Sequence, residues 1–330
     1  MRVLITGAGG FIGRALTEAL IARGWLAGPG GEARPVTELI LADRYAPPDP
    51  GAPSPIVTRQ LGGDLTDPAT FEAALSPPPD AIFHLAATLT LEAEQDPVRG
   101  WEINVELPRR LLEAGRVAGN CPRLVYASSI AAFGGDLPSQ VSDAQAQTPT
   151  TSYGTAKAIV ELLINDYARK GHVDGRALRL PIVLTRPGAP APAVSDRVAA
   201  MAREPLRGRA VAAPLGEEDR FPVVSVGRVA ANLLRMHDLP ASAFGISRAA
   251  NQPGLTVCAA DIRAALARAA GPDAAARLTC APDPDVRAVV AGWPRDFVTG
   301  LDFDPPLAPD PDFDAVIADF LTREARAAPG

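Results

Sequence analysis

Short apolar runs alternate along the first half of the chain with stretches whose apolar positions return every three or four residues. Val3-Leu4-Ile5, Glu38-Leu39-Ile40-Leu41, Ile56-Val57, Ala81-Ile82-Phe83-His84-Leu85 and Leu124-Val125-Tyr126 predict strands. Residues 12 to 23, 68 to 75, 97 to 118 and 152 to 170 predict helices between and after them. Strands joined through helices call for a parallel sheet covered on both faces, an α/β doubly wound architecture. The Pro/Gly-rich stretch at 46 to 55 predicts a surface loop where a crossover helix would usually lie.

Beyond residue 184 the pattern breaks into short pieces punctuated by Pro187, Pro190, Pro192 and Pro205, and later by Pro282, Pro284, Pro294, Pro305, Pro306, Pro309 and Pro311. Residues 223 to 236 and 244 to 248 return to strand-like and helix-like patterning. The expected division is therefore interleaved: 1–183 with 223–250 in the large sheet unit, and 184–222 with 251–330 in a smaller α+β C-terminal lobe. A length of 330 residues suits one large domain with such a lobe.

Composition narrows the function. Apolar residues make up 47% and charged residues 21%, a globular balance, and no apolar run approaches the ~18 residues of a membrane span. The start, Arg2-Val3-Leu4-Ile5, lacks the pattern of an export signal, so a cytoplasmic protein is expected. Cys121, Cys258 and Cys280 are too scattered for a zinc site or a disulfide framework, so no metal is expected. A net charge of −6 with dispersed cations argues against nucleic acid, which leaves a small molecule as the expected partner.

The chemistry begins at Thr6-Gly7-Ala8-Gly9-Gly10-Phe11-Ile12-Gly13, between the first strand and its helix. A tight turn, close backbone approach to a pyrophosphate and close helix packing each exclude a side chain, while the helix start offers oriented N–H groups. Gly7, Gly10, Phe11, Ile12 and Gly13 are thus candidate dinucleotide contacts. Asp43, ending the second strand, would accept the adenosine ribose hydroxyls and repel a 2′-phosphate, which favours NAD although Arg44 adjoins it. Asp64, in Gly62-Gly63-Asp64-Leu65, is placed against the adenine amino group or is simply a turn residue.

Ser152-Tyr153-Gly154-Thr155-Ala156-Lys157 opens a predicted helix. Residues four apart share a face, so the Lys157 ammonium would lie beside the Tyr153 hydroxyl and, with the nicotinamide ring, lower its pKa from the reference ~10. With four tyrosines and only two lysines in the chain, such a pair seldom arises by accident. Ser129, at the carboxyl end of a strand, would face the same crevice and hold the substrate hydroxyl. His84 reads as a packed core residue. The carboxylate of an acid substrate would need a cation, for which Arg186 and Arg220 are the candidates, with Thr88 and Ser195 as polar contacts.

These residues together resemble the extended short-chain dehydrogenase/reductase family, which includes nucleotide-sugar epimerases and dehydratases. The glycine triplet, Asp43, Asp64-Leu65, His84-Leu85-Ala86-Ala87, Asn104, Ser128-Ser129 and Tyr153 with Lys157 occur in family order. The resemblance implies a Rossmann fold binding NAD. It implies Ser129, Tyr153 and Lys157 as the catalytic set, with Asn104 supporting the active-site helix. Asp64, Leu65, Leu85, Ala86, Ala87, Pro181 and Val183 would line the cofactor. It also implies a homodimer through the helices at 97 to 118 and 152 to 170. Arg179-Leu180-Pro181, Arg203-Glu204-Pro205-Leu206 and Gly292-Trp293-Pro294 resemble a branch of the family that oxidises the C2 hydroxyl of a four-carbon sugar acid. The alternatives are a nucleotide-sugar epimerase or dehydratase that retains its NAD, and a protein that binds NAD without turnover.

Overall fold

The computed structural model describes residues 1–185 and 193–327. Its main sheet has seven parallel strands in the spatial order Ala249–Asn251, Asp174–Leu180, Arg123–Ser129, Ala81–His84, Arg2–Thr6, Glu38–Asp43, Val57–Gly62. The central strands are apolar throughout because both faces are covered. Val3, Ile5, Leu39, Leu41, Phe83 and Val125 pack against Leu16 and Leu20 of helix Phe11–Arg23 and Val229 and Leu233 of helix Val226–Asp238. The alternate residues Leu4, Ile40, Ile82 and Leu124 face Leu107 and Leu111 of helix Leu107–Ala118 and Val160 and Ile164 of helix Ser152–Arg169. Strand order reverses at Arg2–Thr6, which leaves a crevice at the carboxyl ends of this strand and Ala81–His84, where α/β sheets bind ligands.

Several elements depart from the sequence pattern. After Gly24 the first crossover forms an antiparallel hairpin, Trp25–Ala27 with Ala33–Pro35. The predicted helix at 97 to 118 is three segments: Pro97–Trp101, a π-helical turn Glu102–Glu106, and Leu107–Ala118. Strand Asp174–Leu180 escapes the hydrophobic pattern because Arg176 and Arg179 interrupt it, yet both are buried, at 0% and 4% exposure. Arg176 is held by Asp174 and by the carbonyls of Met236, His237 and Leu239. The patterned stretch at 244 to 248 gives a strand only from Ala249 to Asn251.

At Pro181 the chain leaves the main sheet and enters a second one, in which Ile182–Leu184 pairs in parallel with Phe221–Ser225, and that strand pairs antiparallel with Leu255–Val257. Helices Val194–Leu206, Ala259–Ala270 and Phe313–Ala327 cover it, with Met201, Phe221, Ile262, Leu266, Val316 and Ile317 in a core of their own. A Rossmann sheet with a smaller α+β lobe results.

Candidate active site and cofactor cradle

The glycine loop is built as a surface that admits no side chains. Gly7 has φ +73, and a Cβ there would lie 2.8 Å from the Ala86 nitrogen. A Cβ on Gly13 would lie 2.1 Å from the Gly7 carbonyl oxygen, so helix Phe11–Arg23 reaches the loop only through glycine. The N–H groups of Phe11, Ile12 and Gly13 in its first turn have no i−4 carbonyl to reach and remain as donors for an anion. Beside them the Gly9 N–H donates to Asp43 Oδ2 at 2.8 Å, and Arg44 N–H donates to Asp43 Oδ1 at 2.7 Å. Donors for a pyrophosphate and a carboxylate for a ribose thus lie on one rim, and the residues present fit a dinucleotide.

The opposite wall is the half-buried run Leu85, Ala86 and Ala87. The Leu85 N–H donates to the Thr6 carbonyl at 3.1 Å, tying this run to the first strand. His84 is buried, its Nδ1 is 2.6 Å from Thr6 Oγ1, and burial with the Lys157 charge nearby lowers its pKa to about 3. Leu65 directs its side chain into the core. Asp64 accepts from the Thr66 N–H at 2.9 Å and its hydroxyl at 2.7 Å, and also pairs with Arg99. Partial burial opposes the shift, but these partners hold the Asp64 carboxyl below its ordinary value, in a turn that also anchors helix Pro97–Trp101.

Helix Ser152–Arg169 begins where Thr151 Oγ1 accepts the Gly154 N–H at 3.0 Å. A Cβ on Gly154 would stand 1.9 Å from the Ala131 carbonyl oxygen. This glycine lets the helix dock on the turn after Ser129 and brings Tyr153 to that hydroxyl. Lys157 is buried, donates to the Ala127 carbonyl at 2.8 Å, and lies 5.2 Å from the centre of the Tyr153 ring. Desolvation pushes the Tyr153 phenol up to about 12 against the opposing hydrogen bond of Ser129. Burial likewise lowers Lys157 to about 7 against the opposing charge of Glu161. The expectation of a lowered tyrosine counted on Lys157 and a bound nicotinamide ring together; in the chain by itself desolvation sets the direction.

Glu161 continues the face of Tyr153 and Lys157, and its spacing of four from Lys157 is the signal that would have found it. It is 3% exposed, accepts three hydrogen bonds from Arg179 between 2.7 and 3.1 Å, and also binds Gln147 and Ser128. Asn104, in the π-helical turn, exchanges hydrogen bonds with Thr88: the Thr88 N–H donates to its Oδ1 at 3.0 Å, and its Nδ2 donates to the Thr88 carbonyl and hydroxyl. Its carboxamide therefore secures the segment after Ala87, and among the described residues its side-chain hydrogen bonds go to Thr88 and not to helix Ser152–Arg169.

Pro181 is buried and Val183 half-buried at the junction of the two sheets. Ser195 lies in the first turn of helix Val194–Leu206. Arg220 is exposed on a 560 Å³ cavity of the second lobe that Asp219, Arg287 and Arg295 also line, with Arg287 already paired to Asp219. None of that cavity's lining residues belongs to the strand and helix carrying Ser129 and Tyr153. Arg186 lies outside the described residues.

A glycine-lined dinucleotide cradle beside a Ser129, Tyr153 and Lys157 cluster defines an NAD-dependent enzyme of the short-chain dehydrogenase type. Residues 3–244 match the model of the NAD dependent epimerase/dehydratase family. The chain is 39% identical over 321 residues to D-erythronate dehydrogenase of Cupriavidus necator, covering 97% of this chain and 98% of that protein. It is 36% identical over 294 residues to D-erythronate dehydrogenase of Haemophilus influenzae, covering 89% and 90%. The structure of a nucleoside-diphosphate-sugar epimerase from Agrobacterium tumefaciens superposes with a TM-score of 0.90 at 33% identity, over 99% of this chain and 95% of that one. The chain belongs to the NAD dependent epimerase/dehydratase family.

Proposed function

We propose that the protein is an NAD-dependent dehydrogenase that oxidises the C2 hydroxyl of a small sugar acid such as D-erythronate to the 2-oxo acid. Two relatives named D-erythronate dehydrogenase align along 97% and 89% of the chain, which supports the substrate class. The observation that carries the chemistry is the meeting of Tyr153, Ser129 and Lys157 at the crevice. Ser129 orients the substrate hydroxyl, and Tyr153 takes its proton as the C2–H bond breaks. Lys157, when protonated, stabilises the Tyr153 phenolate that accepts this proton and so becomes the neutral phenol. Bound NAD+ supplies the hydride acceptor, held by the loop Gly7 to Gly13 with Asp43 on the ribose. Thr88, secured by Asn104, and Ser195 supply polar contacts to the substrate.

The test is NADH absorbance on mixing the protein with NAD+ and C4 to C6 aldonates and uronates, D-erythronate included. Net NADH with one acid is the expected result. Silence with all of them, together with conversion of a nucleotide sugar without net NADH, would favour the epimerase chemistry named for the Agrobacterium structure.

We further infer the two-lobe division, 1–183 with 223–250 for NAD and 184–222 with 251–330 for substrate, which the separate second core supports. A homodimer is supported by apolar side chains left exposed on the same helices: Val98 at 79%, Trp101 at 54% and Leu162 at 65%. Trp101→Glu combined with Leu162→Glu is expected to yield a monomer in light scattering where the unmodified chain gives a dimer.

A further inference from the structure

Lys157 is 3% exposed, and an ammonium so enclosed loses its charge unless something replaces water. Among the described residues one hydrogen bond reaches it, from Lys157 Nζ to the Ala127 carbonyl. The ring of Tyr126, on strand Arg123–Ser129, lies with its centre 4.5 Å from Nζ, closer than the ring of Tyr153 at 5.2 Å. Tyr126 is itself 1% exposed, and its hydroxyl has no hydrogen-bond partner among the described residues. A buried hydroxyl without a partner is costly, so hydrogen bonding does not explain this side chain. What it offers the site is the negative face of its ring.

We propose that Tyr126 is a positioning residue whose ring face, with the Ala127 carbonyl, keeps the Lys157 ammonium charged and seated beside Tyr153. The inference rests on the reading of Lys157 as the charge that assists Tyr153. The other groups facing this ammonium leave the ring a decisive share. On its own helix, Glu161 attracts it, but that carboxylate is already answered by Arg179 from strand Asp174–Leu180 and by Ser128 and Gln147. Tyr153, also on this helix, is held as the neutral phenol by desolvation. From strand Ala81–His84, His84 stacks on Tyr126 with centroids 5.7 Å apart, and it is neutral until about pH 3. A cation over an aromatic face in such a desolvated site gains enough to move its titration by roughly 0.5 to 1.5 pH units.

The chain's lysine content allows a direct test. Protein labelled with ¹³C at lysine Cε gives two resonances, from Lys157 and from the exposed Lys170, so the titration of Lys157 is followed without cofactor or substrate. The unmodified protein is expected to show a midpoint near 7 for Lys157. Tyr126→Phe, which keeps the ring and removes the orphaned hydroxyl, should leave it in place. Tyr126→Met, which keeps much of the volume and removes the ring, should lower it by roughly 0.5 to 1.5 units, with Lys170 unmoved. Tyr126→Leu replaces the methionine variant if that one does not fold. A ringless variant titrating with the unmodified protein, or a phenylalanine variant shifted as far as the ringless one, would overturn the proposal. So would a midpoint in the phenylalanine variant alone that falls by such an amount. Failure of the sugar-acid assay would count against the dehydrogenase reading and leave this titration unchanged, so the two failures are distinct.

Discussion

Gly13→Ala tests whether the cradle depends on helix approach. The added Cβ would stand 2.1 Å from the Gly7 oxygen, 2.7 Å from Ala8 Cα and 2.9 Å from the Gly7 carbonyl carbon, where ordinary contact begins at 3.4 Å. All three obstacles are backbone, so no side chain can swing aside, and loop and helix must part by roughly 1 Å. Overpacking of this kind costs about 1–3 kcal/mol, which for a domain of this size lowers Tm by several degrees, roughly 2–4 °C per kcal/mol. The same displacement withdraws the first-turn N–H groups from an anion. Losing one charge-assisted hydrogen bond, worth about 1.5–3 kcal/mol, weakens NAD+ binding roughly 10- to 100-fold. Calorimetric titration with NAD+ and a thermal melt read both effects. Gly245→Ala, at a site with nothing within 4 Å, is the control. A Gly13→Ala protein that binds NAD+ with the unmodified affinity and melts with the control would refute the reasoning.

Tyr153→Phe removes the oxygen proposed above as the proton acceptor; turnover in the NADH assay is expected to fall by roughly 10²–10⁴, with NAD+ affinity in calorimetry unchanged. Glu161→Gln leaves the Arg179 guanidinium buried without its counter-charge, and urea unfolding should show a loss of about 3–5 kcal/mol; a loss below ~1 kcal/mol would mean the pair is dispensable. Acid should destabilise the fold before the carboxylates titrate. Burial lowers His84 to about 3 and His237 to about 4, both from 6.5, so the unfolded chain binds more protons in between. Stability is full above pH 6.5 and drains as pH falls, by up to ~1.4 kcal/mol per pH unit for each histidine, which urea midpoints at pH 7 and pH 5 would record.

The glycine spacing was legible because its causes are local. A positive φ at Gly7 and a blocked Cβ at Gly13 are demands of one turn, and a turn is written in consecutive residues. Tyr153 and Lys157 were legible for a similar reason, since one helical turn sets their separation. The central strands showed themselves through unbroken apolar runs, which a sheet covered on both faces requires.

The sequence by itself thus determined the Rossmann sheet, the glycine turn and the Tyr153 and Lys157 pair at the start of helix Ser152–Arg169, all of which rest on interactions within one element or between successive ones. Only the tertiary structure decided what depends on distant partners. Arg176 and Arg179 read as breaks in a strand pattern until carbonyls 60 residues away and Glu161 make their burial tolerable. Asp64 is committed to Arg99, 35 positions on, and the Asn104 carboxamide to Thr88, 16 positions before it. The Tyr153 phenol sits near 12 because desolvation is a property of everything packed around it. Spacing along a chain records which groups share a face, whereas charge state and hydrogen-bond partners are fixed by surroundings that the chain assembles only on folding.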